Sequence, residues 1–420
     1  MRLFNFRKGL LLTGNPRAGK TTLTKYLTEV LERTFPEVKF FGFITEEVRE
    51  EKGRRDRIGF DLLPVGETKK ELPSPLPLAR KHLSGKDLPK VGSYAVLTQN
   101  LERMLSYLEG ELSEKGNAVL ILDEIGKMEL KSSKFIPFVE MVLEKNIPFI
   151  ATLGKGDHPF LQRIKNLEKV LLCQVTIENR DFLRERLLLE FLRPGLLIVL
   201  EGIDGVGKTT VHKALAERLK TFSNYVFSYE PTNGAYGKRL REALKEGNLS
   251  QEEMLSLFIK DRLEHVKSLI IPSLKEGKVV ILDRYYPSTI AYQGAEGFDF
   301  KELLILNETI APTPDLLLYF DLPVETAIER LKERGNEFSI FEKKEKLIMI
   351  AKNYARLLPL FKGKKIDASQ PVDKLINEVL QNLRLFQNSC NHTLTSLSVA
   401  EGPLRSFPLP RMTGRLCLKR

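Results

Sequence analysis

Short, uninterrupted apolar runs alternate along this chain with longer stretches in which apolar residues recur every three or four positions. In the first half the runs are "GLLLT", "FFGFIT", "AVLILDE", "PFIATL" and "KVLLCQVT"; in the second they are "GLLIVL", "YVFSYE", "KVVILDR", "DLLLYFDL" and "GKKIDAS". The most apolar of them, "GLLLT" and "GLLIVL", are too short for helices and predict buried strands, as in parallel sheets. Stretches such as "TTLTKYLTEVLERTF" and "TTVHKALAERLKTF" carry the helical period instead. The expectation is an α/β chain in which mostly parallel sheets are wrapped by helices. Pro194 and Gly195, in "FLRPGL", end the helical stretch "RDFLRERLLLEFL" just before the next apolar run. They divide the chain into domains 1–193 and 195–386, joined by so few residues that the two should touch. Residues 387–420 have no helical period and many Ser, Thr and Pro, and read as a disordered tail.

Each domain opens on the same chemistry. "TGNPRAGKTT" and "EGIDGVGKTT" both fit GxxxxGK[ST], each after a predicted strand and before a predicted helix. The two halves therefore read as two copies of one architecture, both P-loop NTPase domains. The nucleotide-binding candidates are Gly14, Asn15, Pro16, Arg17, Ala18, Gly19, Lys20, Thr21 and Thr22 in one loop. In the other they are Gly202, Ile203, Asp204, Gly205, Val206, Gly207, Lys208, Thr209 and Thr210. Glycines let backbone N–H groups converge on phosphate oxygens and the helix N-terminus adds its dipole; Lys20 and Lys208 reach the β- and γ-phosphates, and Thr21 and Thr209 take a Mg2+ position.

The residue after a strand-end aspartate separates the two chemistries. "AVLILDEIGKMEL" ends its strand in Asp123-Glu124: Asp123 is placed for the Mg2+ shell, and Glu124 to orient or deprotonate a water aimed at the γ-phosphate. Water attack is hydrolysis. "KVVILDRYYPSTIAYQG" ends in Asp283-Arg284, with a guanidinium suited to a bound phosphate in place of the glutamate. An acceptor that already carries an ionised phosphate needs positioning and charge neutralisation rather than a base, which is kinase logic.

A net charge of +11 changes the picture less than it first suggests. Residues 1–194 carry 33 basic and 27 acidic side chains, 195–386 carry 28 and 27, and 387–420 carry 5 and 1, so neither domain is basic enough to make nucleic acid a principal partner. No apolar run reaches the roughly 18 residues of a membrane span and the first residues run directly into a strand, which points to the cytoplasm and to no membrane partner. Cys173, Cys390 and Cys417 form no CxxC pair, so neither a disulfide framework nor a thiolate metal site is expected.

"EGIDGVGKTT", "EPTNGAYGKRLRE", "LFIKDRLEHVKSLIIPSLKEGKVVILDRYYPSTIAYQG", "PDLLLYFDLPVETAIERLKERG" and "KIDASQPVDKL" stand in the order and spacing of thymidylate kinases. Residues 195–386 closely resemble that family, which implies transfer of the γ-phosphate of ATP to dTMP. By that resemblance Phe258 stacks on thymine, Arg262 hydrogen-bonds the base, Arg284 clamps the dTMP phosphate, Tyr292 crowds the sugar 2′ position and Gln293 belongs to the base pocket. The spacing of "FIKDR" independently puts Phe258 and Arg262 at i and i+4, on one helix face. Asp204 matches the phosphate-loop carboxylate, counted with the metal-site residues, and Asp367, Ala368 and Ser369 the loop near the donor adenine. A homodimer through this domain is left open. Two positions depart from the family. Tyr229 stands where arginine is usual, with Lys238, Arg239 or Arg241 as substitutes, and Phe338-Ser339 stands where the lid often has Asp-Arg, with Arg330, Arg334 or Lys343 as substitutes.

"TGNPRAGKTTL", "FFGFITEEVRE", "RIGFDLL", "VGSYAV", "LDEIGKMEL", "ATLGKGDHPFLQRIK" and "IENRD" resemble the small nucleoside-triphosphatases of thermophiles, which hydrolyse several nucleoside triphosphates. Arg17 replaces a commoner glycine there, as an internal arginine finger or a solvent-facing side chain. The resulting expectation is a bifunctional enzyme using Mg2+ with ATP, dTMP and other nucleoside triphosphates. The alternative is a single kinase whose first domain is a nucleotide-binding regulatory or docking module. A nucleic-acid-dependent ATPase, suggested by "EKGRRDR" and the basic tail, is a third reading.

Overall fold

"LLIVL" has no polar face to show to water, so its natural place is mid-sheet between two layers of helix. In the computed structural model, which describes residues 4, 7–50, 56–83, 88–114, 118–333 and 340–394, that run forms the strand Leu196–Glu201. The strands in chain order are β1 (Gly9–Thr13), β2 (Lys39–Arg49), β3 (Arg57–Gly66), β4 (Leu76–Lys81), β5 (Lys90–Val91), β6 (Tyr94–Val96), β7 (Ala118–Ile125), β8 (Phe149–Leu153) and β9 (Val170–Gln174). A second sheet holds β10 (Leu196–Glu201), β11 (Tyr225–Tyr229), β12 (Val279–Asp283), β13 (Leu316–Asp321) and β14 (Gly363–Asp367).

All ten runs read as strands are strands, but the two sheets are not copies of one another. The second sheet is wholly parallel in the order β11-β12-β10-β13-β14, with β10 directly beside β12. The first has the order β5-β6-β4-β3-β2-β7-β8-β1-β9, so β8 lies between the phosphate-loop strand β1 and the aspartate strand β7. Strand pairing is a non-local property that equal local motifs do not specify. Beyond β2 the first sheet also continues as the antiparallel strands β3, β4, β6 and β5, whose apolar runs are broken by Pro64, Pro77 and polar residues.

The expected contact between the halves is extensive. Leu189, from helix Arg180–Leu192, belongs to the apolar core around the second sheet, while Ile305, from helix Phe300–Ile310, belongs to that of the first. Around this exchange lie buried charges. Arg186 pairs with Glu190 at 2.9 Å and donates to the Ala311 carbonyl; Arg193 pairs with Asp315 at 3.0 Å and donates to the Thr313 carbonyl. Glu190 accepts from the Thr313 N–H at 2.9 Å. The last helix, Val372–Leu394, extends into the segment expected to be a tail, and its buried stripe of Val379, Leu383 and Phe386 lies before that segment. Residues 395–420 lie outside the described residues. Among the described residues no helix is long and apolar enough to cross a membrane.

Removing one partner of a buried ion pair strands the other charge. Arg193→Ala is therefore expected to destabilise the protein by about 3–5 kcal/mol. Lys275→Ala, which breaks the half-exposed Lys275–Glu185 pair across the same boundary, is expected to cost less than about 1 kcal/mol. Denaturant titrations of both variants check the contrast.

Candidate functional sites

Both phosphate loops close on a glycine in the left-handed region, Gly19 at φ 102° and Gly207 at φ 94°, each the residue before a helix. That turn is open to glycine at little cost and points successive N–H groups toward one space ahead of the helix. Lys208 is folded back onto its own loop, donating to the Gly202 and Ile203 carbonyls at 2.8 Å each. Burial above all, then the Arg284 charge, brings its ammonium down to about 7. Bound phosphates would oppose both effects. Lys20 makes longer contacts, 3.3 Å to the Gly14 carbonyl and 3.5 Å to that of Asn15, and stands 3.9 Å from Glu124.

In each domain the loop threonine meets the strand-end aspartate. Thr209 Oγ1 donates to Asp283 Oδ2 at 2.6 Å, and the Thr21 side chain stands beside the Asp123 carboxylate. Thr152, on the intervening β8, also donates to Asp123. The other oxygens, Asp123 Oδ2 and Asp283 Oδ1, are buried without a hydrogen-bond partner among the described residues. A buried carboxylate oxygen so placed, beside a hydroxyl and a phosphate-binding loop, fits a hard divalent cation.

Glu124 keeps access to solvent, its side chain 37% exposed, although burial raises its carboxyl above the ordinary range. Its position depends on an absent side chain: a Cβ on Gly154 would lie 2.7 Å from Glu124 Oε1. Glu129, in the same "DEIGKME" run, is buried close by, and burial, reinforced by the Glu124 charge, pushes its carboxyl up to about 8. Arg17 is exposed with φ 66°, and Pro16 and Asn15 beside it are exposed too. Two cations that lie inside the quoted "ATLGKGDHPFLQRIK" and "IENRD", but are not among the candidate site residues, converge on this loop. Lys155, following β8, donates to Asn15 Oδ1 at 2.5 Å, and the Arg180 side chain passes across Gly19.

In the second domain Phe258, Arg262, Arg284, Tyr292 and Gln293 all line one cavity of about 350 Å3, and Asp204 of the loop borders it. Arg284 is set at φ 68° just after β12 and pairs with Asp204; it also donates to Ser288 Oγ at 3.1 Å and Tyr292 Oη at 3.3 Å. Asp204, expected with the metal-site residues, is thus engaged with the cavity's guanidinium. Glu201, at the end of β10, accepts from the Tyr285 N–H at 2.9 Å, Ser288 Oγ at 2.7 Å and Tyr354 Oη at 2.7 Å, fixing the start of the helix that comes after Arg284. Arg262 is buried and held from three directions. Its Nε–H and one Nη2–H go to Glu230, the other Nη2–H to Thr289 Oγ1 and one Nη1–H to Asn307, so among the described residues one of its five N–H groups is left for a ligand. Glu201, Glu230 and Thr289 lie inside the quoted phosphate-loop and kinase-like segments but have no role assigned there, and Asn307 lies outside those segments.

The remaining candidates are spread more widely. Asp367 accepts from Ser369 N at 3.0 Å and Ser369 Oγ at 2.6 Å, forming a tight turn after β14. Arg330 donates to the Ala368 carbonyl at 3.1 Å, which ties the helix Val324–Glu333 to that turn. Tyr229 is exposed and Arg241 is engaged with the Pro231 and Thr232 carbonyls. Arg334, Phe338 and Ser339 lie outside the described residues, as does the side chain of Lys343.

Two family models match the chain, one described as NTPase over residues 9–188 and one described as thymidylate kinase over residues 200–379. Curated relatives match over the second half. A thymidylate kinase of Xanthomonas campestris pv. campestris (strain B100) is 45% identical over 193 residues, covering 45% of this chain and 83% of that protein. Thymidylate kinases of Xanthomonas euvesicatoria pv. vesicatoria (strain 85-10) and Desulfotalea psychrophila (strain LSv54 / DSM 12343) are 47% and 42% identical, over 44% and 46% of this chain and 83% and 95% of their own lengths. With the cavity and loop on the same half that these matches cover, the chain belongs to the thymidylate kinase family through residues 200–379, and ahead of it an NTPase-like domain matches the NTPase family model.

Proposed function

We propose that the second domain transfers the γ-phosphate of ATP to dTMP, giving dTDP and ADP, and that the first hydrolyses nucleoside triphosphates to diphosphate and phosphate. The observation that carries the assignment is the residue after each strand-end aspartate. Arg284 faces a cavity with room for a nucleotide, whereas Glu124 faces the loop lysine and solvent.

For the kinase, an oxygen of the dTMP phosphate attacks the γ-phosphorus and the bond to the bridging oxygen of ADP breaks. The acceptor is already ionised, so no side chain needs to remove a proton. Arg284 neutralises the acceptor phosphate, Phe258 offers a ring to the base, and the free Nη1–H of Arg262 suits a base carbonyl. Lys208 supports the charge on the transferred group. Thr209 and Asp283 would hold Mg2+, as Thr21 and Asp123 would in the first domain; the ion, when bound, neutralises phosphate oxygens. In the first domain Glu124 takes a proton from water as it attacks the γ-phosphorus, the bond to the bridging oxygen of the diphosphate breaks, and Lys20 supports the charge on the phosphates. The kinase-domain turn Asp367–Ser369 serves the donor adenine.

An acceptor screen tests the assignment: Mg-ATP with and without each nucleoside monophosphate, following diphosphate product and free phosphate together. Equal use of dTMP and dCMP would sink the thymidylate reading. Phosphate release that persists in Glu124→Gln would favour the regulatory or docking role for the first domain.

Three further results are expected. Phe258→Ala should raise the KM for dTMP about tenfold, since base–aromatic stacking is worth roughly 1–3 kcal/mol, with little change for ATP. Lys20→Ala should remove acceptor-independent phosphate release and spare dTMP-dependent ADP formation, and Lys208→Ala should do the reverse, each loss being about a hundredfold or more in steady-state assays. Gly154→Ala should displace the Glu124 carboxylate and lower hydrolysis alone, on the order of tenfold, without lowering the unfolding midpoint by more than a few degrees.

A further inference from the structure

Helix Phe300–Ile310 touches both the acceptor cavity's arginine and the first domain's outermost parallel strand. On one side Asn307 accepts from Arg262 through its side-chain oxygen, while its own amide is anchored to the Leu303 carbonyl at 2.8 Å. The next residue faces the other way. Glu308 is buried against Arg7, which comes from the segment leading into β1, and accepts weakly from Tyr286 Oη at 3.4 Å. Thr309 Oγ1 accepts from the Gln174 N–H at 3.0 Å, capping the edge of β9, and Ile305 enters the first domain's core.

The Arg7–Glu308 pair is sealed from water. Arg7 is fully buried, also donates to the Glu168 carbonyl at 3.1 Å, and lies over the Phe361 ring at 5.6 Å from its centre. Burial raises the Glu308 carboxyl and the Arg7 charge pulls it back, so the pair is mutually dependent. A charge so placed cannot be removed without the helix shifting, the carboxylate protonating or water entering. Any of these acts one residue from Asn307. The route to the cavity is therefore a single helix turn, with a hydrogen bond at one end and an ion pair at the other.

We propose that the first domain completes the acceptor site of the second, with Arg7 a positioning residue that acts through Glu308 and Asn307 to hold Arg262 in its base-facing place. Arg7 touches no substrate. Its effect falls on acceptor binding rather than on the transfer step, because Lys208 and the Thr209–Asp283 pair lie outside this connection. The proposal rests on the thymidylate kinase reading of the cavity.

The experiment uses the full chain. Unaltered protein is first assayed for dTMP-dependent ADP formation; if none occurs, the kinase reading itself has failed. Given activity, Arg7→Met is expected to raise the KM for dTMP about tenfold while kcat and the KM for ATP stay within about twofold. Arg7→Lys, which keeps the charge, should recover most of that loss. Thr309→Val removes a hydrogen bond across the boundary but no charge, and should raise the same KM about threefold; it carries the test if Arg7→Met does not fold. A general loss of packing would instead lower kcat and raise both KM values together, and that pattern overturns the proposal. So does a dTMP KM within twofold of the unaltered protein in folded Arg7→Met or, where that variant does not fold, in folded Thr309→Val.

Discussion

Everything at the two phosphate loops depends on bringing a threonine hydroxyl at a helix start against a carboxylate at a strand end. The carboxylate ends one apolar strand and the threonine follows the short loop after another, so the meeting point is set by strand order rather than by loop flexibility. The second sheet achieves this with adjacent strands, β10 and β12. The first interposes β8, and there Thr152 supplies a third group on the same carboxylate. The extra strand also brings the Gly154–Lys155 turn up to the loop, where it makes room for Glu124 and supplies a cation to Asn15. Sheet order and the side chains around the loop therefore change together.

The parts of this arrangement that are legible in the sequence are those whose partners lie within a few residues. The glycine loops, their lysines and threonines, and the Asp123-Glu124 and Asp283-Arg284 strand ends are local spellings of local geometry. Phe258 and Arg262 are legible because a helix puts i and i+4 on one face. The illegible part lies in pairings across long stretches of chain. Arg262 is fixed by Glu230, Thr289 and Asn307, from three separate segments. Nothing within any one of those segments marks its polar residue as turned inward. The placement of β8 is hidden for the same reason, since a parallel strand records its own burial and not its neighbours.

Charged residues at the boundary between the halves are the least legible. Arg186, Glu190 and Arg193 fall within or just after "RDFLRERLLLEFL", where a charged face is ordinarily the solvated one. They are buried because a second domain covers that face and supplies the carbonyls, hydroxyl and carboxylate they need. Charge runs in a fused chain therefore mark the seam as readily as the surface.

The exchange of Leu189 and Ile305 between the two cores has a consequence for how the halves can be inherited. Each half carries a side chain that is satisfied only inside the other, and the short connection around Pro194 and Gly195 is not what keeps them together. A chain cut at that point would leave two fragments with matching apolar and charged faces, able to reassociate one to one. Fusion fixes that stoichiometry and supplies each face with its match during synthesis, so the halves are constrained to change in concert wherever they touch.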